Sequence, residues 1–346
     1  MGIEEFLAEW RNDSATVLVH TSGSTGEPKP MWVEKRRMEA SARLTCDVLG
    51  LHEGDTALLC MSLDFIAGKM MVVRSLVRGL RLLAVPPGGH PLAEVADRVD
   101  FAAMIPLQVY NSLQVPEERE RLRQIRHLII GGGAIDDGVA AKLSTFPNHV
   151  WSTYGMTETL SHIALRRLSG PQVSDWYEPF PGVTLSIAPE STAAPMAASR
   201  QAPGTNQKLQ TSDFKLQCAE AAGCLVIDAP AVHDGPLVTN DIAMIAPDGR
   251  FKILGRKDNV ICSGGLKIQA EEVERLLAPH LREPFIITKR RDPKFGEAVV
   301  LLSEGDTTLA EQICRRVLPR YWQPRTYMHM DHIPRTATGK PIRRAV

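Results

Sequence analysis

Nine residues near the amino terminus concentrate groups that bind phosphate. The string 20-HTSGSTGEPKP-30 supplies Thr21, Ser22, Ser24 and Thr25 as hydroxyl donors, Gly23 and Gly26 as turn formers, and Lys29 as a point charge. Glycines allow backbone N–H groups to turn toward an anion, and a lysine adds charge without demanding a fixed geometry. The P-loop of nucleoside triphosphatases needs Gly five residues after the first Gly, then Lys and Ser or Thr. Pro28 stands five residues after Gly23, so that register fails. On composition alone, a Ser/Gly surface linker is the alternative.

Five further strings carry groups of chemical interest. The run 131-GGGAI-135 follows an apolar stretch, and by itself means a tight strand-to-helix turn. In 151-WSTYGMTETLSH-162 an aromatic, a glycine, a hydroxyl and a carboxylate fall within five residues, Tyr154 to Glu158. Asp241, in 239-TND-241, can accept from two hydroxyls at once. The stretch 254-LGRKDNVICSGG-265 is a polar turn with a glycine pair. The tail, 333-IPRTATGKPIRR-344, would alone pass for solvated charge.

Taken in order, these strings resemble the signatures of the adenylate-forming superfamily of acyl-CoA synthetases, luciferases and peptide-synthetase adenylation domains. TSGSTGEPK resembles its phosphate loop, YGMTE its YGxTE signature, and PRTATGKPIR its PRTxxGKxxR. The resemblance implies that Thr21, Ser22, Gly23, Ser24, Thr25, Gly26 and Lys29 cradle ATP phosphates. It also implies that Gly132, Gly133, Ala134, Tyr154 and Gly155 flank adenine, that Thr157 reaches the α-phosphate and that Glu158 holds Mg²⁺, a hard ion suited to carboxylate oxygen. Asp241 and Arg256 would bind ribose, with Asn240 where the family more often has Gly. Asp258 would be the hinge between a large and a small domain. Lys340 would enter the site on a mobile loop, and Ser263, Gly264 and Gly265 would admit the pantetheine arm of coenzyme A.

The implied reaction joins a carboxylic acid to AMP, expelling pyrophosphate, and then passes the acyl group to a thiol. Two segments, 62-SLDFIAGKMMVVRSLVRG-79 and 154-YGMTETLSHIALRRL-168, further resemble the o-succinylbenzoate–CoA ligases of menaquinone biosynthesis, particularly their compact bacterial forms. An arginine six residues after Gly68 would then charge the acyl pocket, and Arg74 stands there. Such a substrate keeps one carboxylate ionised, which a pocket arginine can read. Pairing of Arg74 with a carboxylate on a neighbouring element is the structural alternative. Ser161 and His162 are further candidates for the pocket wall. Asp64 stands where most family members have histidine. Another aryl- or acyl-CoA synthetase, or an adenylation enzyme serving a carrier protein, is the competing assignment.

These groups need a scaffold. Apolar runs at 15–20, 56–63, 80–86, 101–106 and 126–133 predict strands, and helical patterns at 1–12, 34–50, 66–79 and 107–125 alternate with them. That alternation predicts an α/β fold with a largely parallel sheet. Segments 223–230, 236–245 and 250–256 predict antiparallel strands, and the tail from 257 has a βαββα-like texture. The resemblance gives a large αβ sandwich-type domain over 1–256, shortened at its amino-terminal part, and a small mobile α+β domain over 257–346. Residues 188–210, rich in Ala, Pro and Ser, carry no apolar period.

Forty basic side chains balance forty acidic ones, which argues against a nucleic-acid stripe. The six cysteines form no CxxC pair, and scattered reduced thiols are expected. No signal peptide or membrane-length apolar run is present, and a cytoplasmic location is the expectation. Dimerisation through surface left by the shortened amino-terminal part is a further expectation.

Overall fold

A computed structural model of the protein describes residues 1–20, 30–188, 222–335 and 341–343. Its contacts divide the chain into two units. One comprises Met1–Thr184, Asp228–Pro236 and Asp331–Ile342, and the other Leu185–Ile227, Leu237–Met330 and Arg343–Val346.

The first unit begins with helix α1 (Ile3–Arg11) and a two-stranded antiparallel ribbon, β1 (Thr16–His20) with β2 (Pro30–Glu34). Helix α2 (Lys35–Leu49) stops at Gly50, whose φ of 61° is the left-handed cap that glycine tolerates. Strand β3 (Thr56–Leu59) leads into α3 (Ile66–Arg78), which stops the same way at Gly79, and β4 (Arg81–Ala84) follows. Strand β5 (Phe101–Met104) is followed by two helices, α4 (Pro106–Gln114) and α5 (Pro116–Gln124). The single helix expected over 107–125 is therefore broken. Pro116 pushes Val115 into extended backbone, at φ −103° and ψ 118°, and starts a new helix at its own position. Next come β6 (His127–Ile130), α6 (Asp137–Ser144), β7 (His149–Gly155), β8 (His162–Arg167) and the short β9 (Glu178–Pro179).

Seven of these strands form one sheet in the order β4-β3-β5-β6-β7-β8-β9. The first five are parallel, and β8 and β9 add an antiparallel edge. Leu58, Ala102, Met104, Leu128, Ile130 and Val150 on one sheet face share a core with Val109, Leu113, Leu122, Val139 and Leu143 from α4, α5 and α6. The intervening residues Ala57, Phe101, Ala103 and Ile129 are buried too, as a sheet covered on both faces requires. Helix α3 packs on β3 and α2 on α3.

The second unit holds two sheets. Strands β10 (Thr184–Ile187), β11 (Ala222–Asp228), β12 (Leu237–Ile245) and β13 (Phe251–Arg256) form a four-stranded sheet in chain order. The other contains β14 (Val260–Ser263), β15 (Leu266–Gln269), β16 (Phe285–Asp292), β17 (Gly296–Ser303) and β18 (Thr326–His329), with α7 (Ala270–Leu277) and α8 (Thr307–Val317). Ile261, Ile268, Val273, Ile287, Val299, Leu301 and Ile313 make its core. By contacts the four-stranded sheet goes with the carboxy-terminal sheet, whereas the sequence reading assigns its strands to the first domain.

Candidate active site

Thr21, Ser22, Gly23, Ser24, Thr25, Gly26 and Lys29 lie outside the described residues, as do Lys340, Cys218 and all of the 188–210 segment but Ala188. Their roles rest on sequence alone.

Within the first unit, the loops after β6 and β7 leave neighbouring parallel strands at the same edge. That carboxyl edge is where open α/β sheets bind ligands. Gly132, at φ 85°, turns the chain out of β6, and Ala134 is exposed beside it. At Gly131 a Cβ would collide with the Thr153 hydroxyl, so the glycine run is needed for chain passage before any ligand is considered. Asp136 then caps α6, accepting from Gly138 N and Val139 N.

The Tyr154–Ser161 turn joins β7 to β8, with Gly155 opposite His162. Gly155 fits because a Cβ would lie 2.5 Å from His162 Cα and closer still to the Ser161 carbonyl oxygen. Thr159, fully buried, staples the turn. Its hydroxyl accepts from Met156 N at 3.1 Å and donates toward the Met156 and Ser161 carbonyls. Leu160 takes a φ of 65°, unusual for a branched residue and held by the same bonds. Thr157 is buried, whereas Glu158 is exposed and makes no ion pair among the described residues. A lone accessible carboxylate suits Mg²⁺, which keeps its waters and takes one or two protein oxygens. Among the described residues no cluster of three or more metal-ligating side chains occurs. Tyr154 is nearly buried, its ring 6.0 Å from that of Tyr177.

Arg74, on α3, is 2% exposed. Among the described residues, one Nη2 hydrogen goes to Ser161 Oγ at 2.6 Å, Nη1 faces only the Met71 thioether at 3.8 Å, and buried Nε has no partner. The expected alternative, a neighbouring carboxylate, is not found among the described residues. Burial pushes the guanidinium pKa down to about 10. The thiol of Cys46 offers no compensating charge, because burial pushes its own pKa up despite Arg74 and Arg78. Ser161 is half-buried, and His162 behind it is buried. Asp64, the departure from histidine, accepts from Ser62 Oγ at 2.7 Å, which holds its carboxyl below the usual range.

In the second unit, strand pairing places Asp241 directly opposite Arg256, 3.6 Å apart, and Arg256 also lies 3.6 Å from Asp258. Asn240 Nδ2 donates to Asp258 at 3.4 Å, and Thr239 Oγ1 accepts from Asp241 N at 3.1 Å. The three residues expected at ribose and hinge thus form one cluster. Ser263, Gly264 and Gly265 make the β14–β15 hairpin. With φ of 58° and 85°, the two glycines satisfy a turn that needs left-handed backbone at both positions. Their presence is therefore explained by the hairpin alone.

Sequence reasoning missed Thr45, Thr159 and Tyr177. Thr45 shared a helical face with Ser41, four residues before it, on a stripe that is otherwise apolar. That was a readable signal for a buried polar pair. Thr159 had none beyond proximity to Glu158.

Comparison with known proteins identifies the fold and the family. The description "AMP-binding enzyme" matches residues 4–205, more than half of the chain. The 2-succinylbenzoate–CoA ligase of Bacillus mycoides is 25% identical, over 99% of this chain and 70% of its own length. Among solved structures, an acyl-CoA synthetase (AMP-forming)/AMP-acid ligase II-like protein from Dyadobacter fermentans is 28% identical, covering 97% of this chain and 90% of that one, with a TM-score of 0.62. The o-succinylbenzoate coenzyme A synthetase of Bacillus subtilis, solved with ATP and magnesium, shares the fold at 21% identity and a TM-score of 0.70, over 94% of this chain and 68% of that one. The chain belongs to the AMP-binding enzyme family.

Proposed function

We propose that this protein is an AMP-forming acid–CoA ligase whose substrate is an aromatic dicarboxylate of the 2-succinylbenzoate type. Membership of the AMP-binding family supports the adenylation half, and the names of its relatives support the acid and coenzyme A. The observation that carries the choice of acid is Arg74. A buried guanidinium without a carboxylate is costly to hold, and a second substrate carboxylate would relieve that cost. A fatty-acyl pocket would leave it uncompensated.

In the proposed reaction the reacting carboxylate attacks the α-phosphorus of ATP, the bond to pyrophosphate breaks, and an acyl-adenylate forms. Lys340, the 21–29 loop and Thr157 stabilise the phosphoryl charge that repels the incoming anion. Glu158 would hold Mg²⁺, which neutralises phosphate charge when bound. Asp241 and Arg256 hold ribose, and the backbone at Gly132, Gly133, Ala134 and Gly155 meets the adenine with Tyr154. The thiolate of coenzyme A then attacks the acyl carbon and AMP leaves. Rotation at Asp258 exchanges Lys340 for the Ser263–Gly265 hairpin between the two halves. The division into domains at residue 256 belongs to the same proposal, as do a cytoplasmic location and self-association. Among the described residues no helix is long and apolar enough to cross a membrane.

A pyrophosphate-release screen over aromatic and dicarboxylic acids, followed by mass analysis for the CoA thioester, tests this reading. Acid-dependent release greatest with 2-succinylbenzoate is expected. Release without a thioester would favour a carrier-protein adenylation enzyme, and a preference for unbranched fatty acids would overturn the role of Arg74. Sedimentation showing only monomer would remove the self-association.

A further inference from the structure

Behind Arg74 a file of hydrogen bonds crosses from α3 to α2. Arg74 Nη2 donates to Ser161 Oγ at 2.6 Å, and Ser161 Oγ lies 3.2 Å from His162 Nδ1. His162 Nε2 lies 3.3 Å from Thr45 Oγ1, which donates to the Ser41 carbonyl at 3.1 Å. Thr45 and His162 are buried, and Phe180 meets the imidazole edge-on at 5.3 Å, fixing its plane.

The two ends of the file fix its direction. A guanidinium has donors only, so Ser161 accepts from Arg74 and keeps its own proton for His162. Thr45 gives its single proton to the Ser41 carbonyl, so toward His162 it can only accept. The imidazole therefore accepts at Nδ1 and donates at Nε2, which makes it the neutral Nε2–H tautomer. An imidazolium would leave the Ser161 proton unplaced and set a second cation beside Arg74. Burial, and after it the Arg74 charge, hold the His162 pKa well below its usual value.

We infer that His162, backed by Thr45, is a positioning residue: it fixes the Ser161 hydroxyl and through it the Arg74 guanidinium, whose remaining donors then meet the non-reacting carboxylate of the diacid. This rests on the diacid reading above and adds to it the groups that orient the reader. Arginine side chains have many rotamers, so holding one in place before substrate arrives removes an ordering cost from binding. The effect falls on recognition of the second carboxylate and not on phosphoryl chemistry.

The test compares His162→Gln, His162→Leu and Arg74→Met with wild type, using 2-succinylbenzoate and the mono-acid that lacks its non-reacting carboxylate. Glutamine can accept with one atom and donate with the other, so it preserves the direction of the file; leucine cannot. His162→Leu is expected to lower the diacid-to-mono-acid ratio of kcat/KM on the order of tenfold, mainly through the diacid KM. His162→Gln should recover most of that loss. A ratio lost in Arg74→Met but kept in His162→Leu would overturn the role of His162 alone, as would a glutamine variant no better than leucine. A wild-type enzyme indifferent to the second carboxylate would overturn the diacid reading itself. Nitrogen NMR of the wild-type histidines, assigned against His162→Gln, gives a readout that needs no substrate. A neutral Nε2–H imidazole from pH 6 to 8 is expected, and an Nδ1–H tautomer or a titrating ring would refute the directed file.

Discussion

Replacing Arg74 by methionine should move stability and activity in opposite directions. Methionine fills a similar unbranched volume without charge. Burial lowers the guanidinium pKa from its ordinary value to about 10. A cation whose folded pKa is depressed destabilises the fold at every pH below that value, and the penalty disappears only above the unfolded pKa. At about 1.4 kcal/mol per unit the charge costs roughly 3 kcal/mol at neutral pH. Methionine removes that cost but takes a donor from Ser161, worth about 1 kcal/mol. The expected net change is a gain of roughly 1–2 kcal/mol, in line with other replacements of buried charge by apolar groups. Activity with the diacid should fall about 10–200-fold in kcat/KM, the equivalent of one charge-assisted hydrogen bond at about 1.5–3 kcal/mol. Urea unfolding followed by tryptophan fluorescence and thioester formation with paired di- and mono-acids measure both quantities. A variant destabilised by more than about 2 kcal/mol, with equal losses on both acids, would make Arg74 a structural residue and not a reader of the second carboxylate.

Gly155→Ala should destabilise by on the order of 1–3 kcal/mol and abolish diacid preference, because its Cβ would displace the backbone that carries Ser161 and His162; a thermal shift within 1 °C of wild type would contradict the close approach. His127 is held near pKa 4, chiefly by burial and then by stacked His149 and by Arg126 and Arg167. Its neutral form is favoured on folding, so stability is full above about 6.5 and falls as pH drops toward 4. Discounted for partial exposure, that is roughly 1–2 kcal/mol, which should shrink in His127→Leu when urea midpoints at pH 7.5 and 4.5 are compared. Asp258→Pro should impair thioester formation more than adenylation, since proline restricts Lys257 and stiffens the expected hinge; unimpaired turnover with coenzyme A would refute the hinge.

Legibility in the sequence varied with the range of the interaction. Helix ends at Gly50 and Gly79 were local and plain, because a periodic apolar stripe stopped at a residue free to take positive φ. The break at Pro116 was equally local but masked by continuous helical patterning on both sides, and the strand β18, a parallel partner of β17, had no turn signal to announce it. Antiparallel pairing brought Asp241 to Arg256 over a short loop, within reach of sequence logic. The contact of Arg74 with Ser161 spans 87 positions and depends on how α3 lies against the β7–β8 turn, which no periodicity encodes. The resemblance of the surrounding segments pointed to both residues. The orphaned Nε and the file through His162 to Thr45 became visible only once packing was known.

This chain is expected to make an acyl-adenylate from a diacid, with Lys340 driving that half of the reaction. Exchange of labelled pyrophosphate into ATP, measured without coenzyme A, reports adenylation alone. The expected result is exchange that requires 2-succinylbenzoate and drops on the order of 10²–10³-fold in Lys340→Ala, as when one preorganised transition-state donor is removed. Exchange independent of acid, or undiminished in Lys340→Ala, would contradict the account.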